Sequence, residues 1–286
     1  MFEAFAAGDN HSCGITTSGE AWCWGGSTHV PFRMGGPVFA SLAAGEDHTC
    51  AVTSGGEAWC WGQNGEGQLG NGTNSNSFYP VAVSGIAGVS DVATGVRHTC
   101  AIVQSGGVFC WGDSGAGQLG AGPPARAVTG ISQVTRIRAG DAHTCAVTAD
   151  GSPFCWGSNQ FGQLGIGLMG SSATPAAVAG GLRLGTITTG RSHTCGLENS
   201  GVAWCWGLIR NGQLGDGTLA NSPVPVAVAG GLRFETIEAG ANHTCAISTT
   251  GDAWCWGNNG IGQLGNGSTD NVSAHTWATS SRDGFK

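Results

Sequence analysis

One sequence pattern occurs six times along the chain and constrains the fold more than any other feature. In each copy a histidine precedes a first cysteine by two residues, and a second cysteine follows the histidine at position +12 within Cys-Trp-Gly. Because a period of about 20 to 50 residues is typical of repeat architectures, six similar structural units are predicted. The six histidines, 37 to 50 residues apart, are His11, His48, His98, His143, His193 and His243.

Each repeat is predicted to contain three or four short strands. Residues 234–240 alternate apolar and polar side chains, which is typical of a half-buried strand. The two cysteine-containing segments, separated by a glycine-containing turn, predict a β-hairpin. Residues 222–230 predict a last strand whose prolines suit a sheet edge. Helix is disfavoured because the chain has 53 glycines, and each costs about 1 kcal/mol inside a helix relative to alanine.

This succession of strands predicts an all-β fold, a β-propeller built from six repeats of about 50 residues with one blade per repeat. A β-solenoid is the main alternative, but its repeats are usually much shorter. We expect one domain over residues 1–286, with the tail 268–286 as a possible ring-closing strand. If the tail does not close the ring, the chain is expected to be part of a larger protein.

The loop after Cys-Trp-Gly distinguishes the first repeat from the other five. In those five repeats Gly-Gln-Leu-Gly follows, whereas the first repeat reads CWGGSTHVPFRMGGP and is shorter by about one loop. Residues 74–80 and 168–175, after the motif, are predicted as variable loops. The motif begins at Gly67, Gly117, Gly162, Gly212 and Gly262.

The frame AGxxHTCAxxxxGxxxCWGxNxxGQLGxG resembles the repeat of the regulator of chromosome condensation family, over nearly the whole chain. The resemblance implies a β-propeller, most often with seven blades. Two features depart from the family: six repeats instead of seven, and a cysteine pair in each, which nuclear and cytosolic members generally lack. The pair is similar to that of extracellular variants, such as Crinkly-type plant receptor kinases and secreted or surface proteins of bacteria.

Hairpin geometry is expected to place the two cysteines of each repeat opposite each other. If the turn of the second repeat centres on residues 54–56, Cys50 lies opposite Cys60, and directly opposed Cβ atoms are about 4.5 to 5.5 Å apart. A disulfide needs only a slightly shorter separation, so a cross-strand bridge is predicted, which implies an oxidising compartment. The predicted pairs are Cys13 with Cys23, Cys50 with Cys60, Cys100 with Cys110, Cys145 with Cys155, Cys195 with Cys205 and Cys245 with Cys255.

Two other interpretations of the cysteines stay open. The first is a metal site in each blade, formed in the second repeat by His48, Cys50 and Cys60. Family members without cysteines also carry this histidine, which weakens that interpretation. The second is reduced thiols packed as small apolar residues.

Composition and motifs exclude several classes of function. The net charge is −7, and the 11 basic residues are scattered singly, so no nucleic-acid partner is expected. No apolar run reaches the roughly 18 residues that a membrane-spanning helix requires. The first residues carry Glu3 and no basic segment, so they do not indicate a signal peptide. No catalytic constellation or cofactor motif stands out, and we expect neither enzymatic activity nor a cofactor.

Function in a repeat scaffold is expected where the copies differ. The two residues before each anchor histidine vary in charge and size and should ring one end of the propeller. We therefore expect a partner-binding rim that contains Asp9, Glu46, Asp47, Arg97, Asp141, Arg191 and Asn242. Five sequons mark possible glycosylation sites in predicted loops, namely Asn10, Asn71, Asn242, Asn266 and Asn271.

The function predicted from these features is a non-enzymatic recognition module, secreted or displayed on the cell surface, that binds a protein partner through the rim. One alternative is a structural subunit of an extracellular assembly or filament, which would involve self-assembly. The other is a regulator similar to a GTPase exchange factor, which the family resemblance implies.

Overall fold

The computed structural model describes residues 1–26, 28–120 and 126–277. Its strands form six four-stranded antiparallel sheets, one per repeat, and within each sheet the strands lie side by side in chain order. The first three sheets contain β1 (Phe2–Ala7), β2 (His11–Thr16), β3 (Ala21–Gly25) and β4 (Thr28–Arg33), then β5 (Phe39–Ala44), β6 (His48–Thr53), β7 (Ala58–Gly62) and β8 (Ser77–Ala82), then β9 (Val89–Thr94), β10 (His98–Val103), β11 (Val108–Gly112) and β12 (Arg126–Ala127).

The other three sheets repeat the same arrangement. They contain β13 (Val134–Ala139), β14 (His143–Thr148), β15 (Pro153–Gly157) and β16 (Ser172–Ala177), then β17 (Leu184–Thr189), β18 (His193–Glu198), β19 (Ala203–Gly207) and β20 (Ser222–Ala227), then β21 (Phe234–Ala239), β22 (His243–Ser248), β23 (Ala253–Gly257) and β24 (Val272–Trp277). Among the described residues, the only helical segment is one 3-10 turn at Ala229–Gly231.

The chain divides into two compact units. The N-terminal unit comprises residues 1–144 and 173–175, and the C-terminal unit comprises residues 145–172 and 176–286. That the six repeats form one closed domain stays a prediction. The tail supplies β24, which pairs with β23 as the fourth strand of the sixth sheet. Residues 278–286 lie outside the described part of the chain.

The central hairpin of each sheet has the predicted register. In the second repeat Cys50 pairs with Cys60, and the small Ala51 lies opposite the large Trp59. The Cα atoms of each cysteine pair are 4.1 Å apart, and all six pairs form disulfides. No free cysteine remains among the described residues. The cross-strand disulfides are therefore confirmed, and no cysteine is left as a thiolate metal ligand or as a reduced thiol.

Two predicted loops are shorter than expected. Residues 74–80 end in a strand, because β8 begins at Ser77, and residues 168–175 likewise end in β16, which begins at Ser172. In both segments the serine pairs with the glycine of Cys-Trp-Gly, as Ser77 does with Gly62. This long-range pairing extends the strand into a segment whose polar composition suggested a loop.

The core of each unit is built from hairpin residues together with the leucine of Gly-Gln-Leu-Gly. In the N-terminal unit, Leu69 is fully buried in a cluster with Val92 and Trp111. In the C-terminal unit, Leu214 is fully buried in a cluster with Trp256. The loops that carry this motif are therefore part of the packed interior, although their glycines gave them the composition of surface loops.

Candidate functional site

The variable residues before each histidine lie in a tight turn between the first and second strands of the sheet. In the second repeat, Gly45 N donates to His48 O at 2.8 Å, and Glu46 and Asp47 are the two residues between them. The same bond closes the turn in all six repeats, at 2.8 or 2.9 Å. The scaffold therefore presents a different residue pair in the same backbone frame each time.

In five of the six repeats a second backbone hydrogen bond fixes the turn to the end of the third strand. The carbonyl oxygen of Asp47 accepts from Gln63 N at 2.9 Å, and that of Arg97 accepts from Asp113 N at 2.8 Å. In the C-terminal unit, Asn242 O accepts from Asn258 N at 2.8 Å. Because both ends of the turn are bonded, its side chains are presented on a rigid support.

Turns of neighbouring repeats touch within each unit. Val96 N donates to Asp141 O at 3.4 Å, and in the C-terminal unit Arg191 N donates to Ala241 O at 2.9 Å. A Cβ added to Gly45 would meet the carbonyl oxygen of Gly95, so this close approach requires glycine. The variable residues consequently form a row in each unit. We call these residues the turn row: Asp9, Glu46, Asp47, Arg97 and Asp141 in the N-terminal unit, and Arg191 and Asn242 in the C-terminal unit.

The N-terminal part of the turn row is acidic. It carries four carboxylates against one guanidinium, Arg97. Asp9 and Arg97 are exposed and the other three residues are half-buried. The Arg97 guanidinium lies 3.8 Å from the Glu66 carboxylate, but both side chains are about half exposed, so this ion pair contributes little to stability. This part of the row therefore carries net negative charge.

The anchor histidines lie under the row, and four of them, His48, His98, His143 and His193, are fully buried. His48 Nε2 lies 2.9 Å from Thr99 Oγ1, and Thr99 Oγ1 donates in turn to Gln68 O at 2.9 Å. The histidine Nε2 must therefore carry the hydrogen, which leaves His48 Nδ1 buried without a hydrogen-bond partner among the described residues. Protonating Nδ1 would bury an unpaired charge. Burial accordingly lowers the pKa of His48 to about 3 and that of His98 to about 4.

The threonine that follows the anchor histidine in five repeats was not singled out from the sequence. Thr99, Thr144 and Thr244 are fully buried, and each donates through Oγ1 to the glutamine carbonyl of the preceding repeat. Their recurrence in the His-Thr-Cys motif of five repeats was the available signal. Among the described residues, no group of three or more His, Cys, Asp or Glu side chains is placed to hold a metal ion.

The sequon asparagines lie mostly in turns and loops. Asn10 and Asn271 are exposed, whereas Asn71, Asn242 and Asn266 are half-buried. The hydrogen bonds from Thr73 to Asn71 are accepted by Oδ1 and do not involve Nδ2, the atom that glycosylation would modify. Glycosylation at these sites stays a prediction.

The sequence matches a known domain family. Residues 28–280 match the RCC1-like domain, and residues 2–29 match the regulator of chromosome condensation (RCC1) repeat. Because the first match covers most of the 286 residues, the chain belongs to the RCC1-like domain family. A comparison with curated protein sequences gives no significant match.

Solved structures of this kind share the fold. Prp20p from Saccharomyces cerevisiae has a TM-score of 0.87 at 23% identity, covering 98% of this chain and 77% of that chain. Human WBSCR16 has a TM-score of 0.87 at 21% identity, covering 98% and 82%. The CRINKLY WD40 ectodomain of the Arabidopsis thaliana receptor kinase ACR4 has a TM-score of 0.59 at 22% identity, covering 90% and 79%. These likenesses, together with the six sheets, confirm the predicted β-propeller class.

Proposed function

We propose that the protein is an extracellular, non-enzymatic recognition module that binds a protein partner through the turn row. The observation that carries this proposal is the combination of one backbone frame with changing side chains. The turn is closed by the same hydrogen bond in every repeat, while its two central residues differ in charge and size. Such a surface suits recognition because rigid support reduces the entropy lost on binding.

The disulfides support an extracellular location. All twelve cysteines are paired within their own repeats, and disulfides persist mainly in oxidising compartments. The similarity to the ACR4 ectodomain agrees with this location. Among the described residues, none of the helical structure is long and apolar enough to cross a membrane.

The charge of the turn row suggests the chemistry of the partner. In the N-terminal unit the turn row has four carboxylates and one arginine. A partner with a basic surface would therefore gain the most favourable electrostatic interaction and the fastest association. The binding should weaken as salt is raised, because the row is solvent-exposed or half-buried.

A substitution experiment tests the role of the row. The variant Asp9→Asn/Glu46→Gln/Asp141→Asn and a control of equal charge change would be compared with wild type for capture of partners from extracellular material of the native source. The control replaces exposed acids outside the row, Glu3, Glu57 and Glu235, with glutamine. We expect the row variant to lose a partner that wild type and control retain. Equal capture by all three proteins would refute the proposal.

The compartment is tested separately by thiol labelling of protein from its native source. We expect no label under denaturing, non-reducing conditions and twelve labels after reduction, since the chain has twelve cysteines. Twelve labels before reduction would instead favour an intracellular protein.

Two other functions are candidates, and a specific observation favours the first of them. The similarity to Prp20p, which binds Gsp1p and histones, favours an exchange-factor-like regulator as a second candidate. A structural subunit of an extracellular assembly is the third. Accelerated nucleotide release from a small GTPase would support the second candidate, and concentration-dependent self-association in size-exclusion chromatography would support the third.

A further inference from the structure

The loops with Gly-Gln-Leu-Gly form a recurring junction with the following repeat. Gln68 O accepts from Thr99 Oγ1 and from Trp111 Nε1, both at 2.9 Å, while the Leu69 side chain is fully buried. In the C-terminal unit, Gln213 O accepts from Thr244 Oγ1 at 3.0 Å and from Trp256 Nε1 at 2.9 Å. At these two junctions one carbonyl oxygen is held by two donors and is followed by one leucine in the core. At Gln163 the threonine donor is present at 2.8 Å, but Trp206 Nε1 has no partner among the described residues.

The first repeat has no such loop, although the second repeat has the matching donors. Thr49 lies opposite Trp61, as Thr99 lies opposite Trp111. Thr49 is fully buried and Trp61 is 4% exposed. Among the described residues, Trp61 Nε1 has no hydrogen-bond acceptor, and the only oxygen or nitrogen atom that Thr49 Oγ1 contacts is His11 Nε2, at 2.7 Å. The carbonyl that Gln68 and Gln213 supply to the later repeats therefore has no counterpart at Thr49 and Trp61 among the described residues.

A cavity of about 210 Å³ occupies this place. It is lined by Thr49 and Trp61 together with Phe32, Met34 and Phe78, among others. Apolar cavities of about 150 Å³ bind molecules as large as benzene, so the volume is sufficient for a leucine side chain. The cavity lies within the N-terminal unit and is bounded on one side by Asp47 of the turn row.

Two side chains of the cavity differ from their counterparts in later repeats. Met34 stands where the second repeat has Val83, since each donates its backbone N–H to the alanine that begins its third strand. Phe78 stands where the fourth repeat has Ala173, against which Gly117 packs closely. A bulky phenylalanine fits at this position because no loop covers it. These substitutions fill part of the space and leave the remainder open.

The mouth of the cavity is an exposed aromatic cluster. The ring centroids of Phe32 and Phe78 are 5.7 Å apart, and those of Phe78 and Tyr79 are 5.2 Å apart. These three side chains are 42%, 59% and 57% exposed, respectively. Clustered exposed aromatic residues mark interaction sites more often than they mark idle surface.

We propose that this cavity binds a segment of a partner protein that presents a leucine followed by a small residue, in the manner of Gln-Leu-Gly. The leucine side chain enters the cavity, and the carbonyl oxygen before it accepts from Trp61 Nε1 and Thr49 Oγ1. The occupant's chemistry is given by the five Gly-Gln-Leu-Gly loops of the chain itself, two of which show both donors on the glutamine carbonyl. Of the turn row, only Asp47 lines this site, and a short peptide is sufficient to occupy it.

A peptide titration of the full chain tests the proposal directly. The probe is the acetylated and amidated octapeptide of residues 65–72, GEGQLGNG, and the control peptide has aspartate in place of leucine. The readouts are tryptophan fluorescence and the NMR shift of the Trp61 indole N–H. We expect saturable binding of the probe with a downfield shift of that signal, and affinity at least about tenfold weaker for the control because it loses the buried leucine.

Matched variants locate the binding. Trp61→Phe removes the unpaired donor, and we expect about fivefold weaker binding, as for the loss of one hydrogen bond. Trp111→Phe makes the same change where Gln68 already occupies the site, so peptide affinity should not change. Met34→Trp fills the cavity and should abolish binding while the chain stays folded. Equal affinity for both peptides, or binding that survives Met34→Trp, would overturn the proposal, and so would saturable binding of benzene without binding of the peptide.

Discussion

Replacing Thr99 with valine measures how much the inter-repeat junction stabilises the N-terminal unit. Thr99 Oγ1 donates to Gln68 O and accepts from His48 Nε2, each at 2.9 Å. Valine has nearly the same shape but no hydroxyl. Thr49→Val is the matched control, because Thr49 is equally buried but has no glutamine carbonyl to bond among the described residues.

The expected losses follow from the hydrogen-bonding groups that each substitution leaves without a partner. Thr99→Val removes one bond from Gln68 O, which keeps Trp111 Nε1, at a cost of about 1 kcal/mol. It also leaves the Nε2 hydrogen of His48 without an acceptor, and because His48 is 1% exposed, this costs about 1 to 3 kcal/mol. Thr49→Val removes the partner of His11, which is half-buried and reachable by water, and a weak contact with Cys13 Sγ at 3.5 Å, so about 1 kcal/mol is expected. Thr99→Val should therefore destabilise more, by about 1 to 3 kcal/mol.

Urea unfolding followed by tryptophan fluorescence and circular dichroism measures this difference. The two variants and wild type should have the same m-value, so that the midpoints report stability alone. Thr99→Ser keeps the hydroxyl and should recover most of the loss. Equal losses for Thr99→Val and Thr49→Val would show that the glutamine carbonyl contributes nothing, and would refute the reasoning.

Three further predictions concern the scaffold. Cys50→Ala/Cys60→Ala should lower the free energy of unfolding by about 2.7 kcal/mol, since the bond closes a ten-residue loop. The difference between this variant and wild type should be smaller when both are measured under reducing conditions. A difference that reductant does not change would show that the cross-link is not its cause. Burial lowers the pKa of His98 from 6.5 to about 4, so between these pH values the unfolded chain binds more protons than the folded chain. The free energy of unfolding should therefore have its full value above pH 6.5 and fall as the pH drops from 6.5 to 4. In urea titrations from pH 7 to 4, His98→Gln should reduce the slope of the free energy of unfolding against pH by the equivalent of about one proton. An unchanged slope would contradict this prediction. Gly45→Ala places a Cβ against Gly95 O and should cost at least about 1 to 3 kcal/mol, whereas the Cβ of Gly65→Ala meets nothing within 4 Å and should leave the melting temperature nearly unchanged.

Much of the fold could be predicted because the sequence repeats its local signals. Alternation and turn glycines predicted the strands, and the ten-residue spacing placed Cys50 opposite Cys60, as the register shows. The turn residues were identified because they vary at a fixed position. The extended start of β8 was missed, because its pairing with Gly62 is formed across a long loop that composition does not describe.

The candidate sites could be predicted only in part. The sequence shows that the first repeat lacks Gly-Gln-Leu-Gly, but not what this absence does. Thr99 and Trp111 reach Gln68 across 31 and 43 positions of sequence, a distance over which no propensity or period gives information. The roles of Met34 and Phe78 likewise depend on which loop fails to cover them.

The sequence by itself determined the number of repeats and the position of the variable turns, and it predicted the order of strands within each repeat and the pairing of the cysteines. These features depend on residues close together in the chain, where hairpin geometry leaves few arrangements. Only the tertiary structure decided that turns of neighbouring repeats touch, that one glutamine carbonyl meets two buried donors, and that the missing loop of the first repeat leaves a cavity beside Trp61. Those features depend on packing between repeats, where side-chain volume and the pairing of buried polar groups select the contacts.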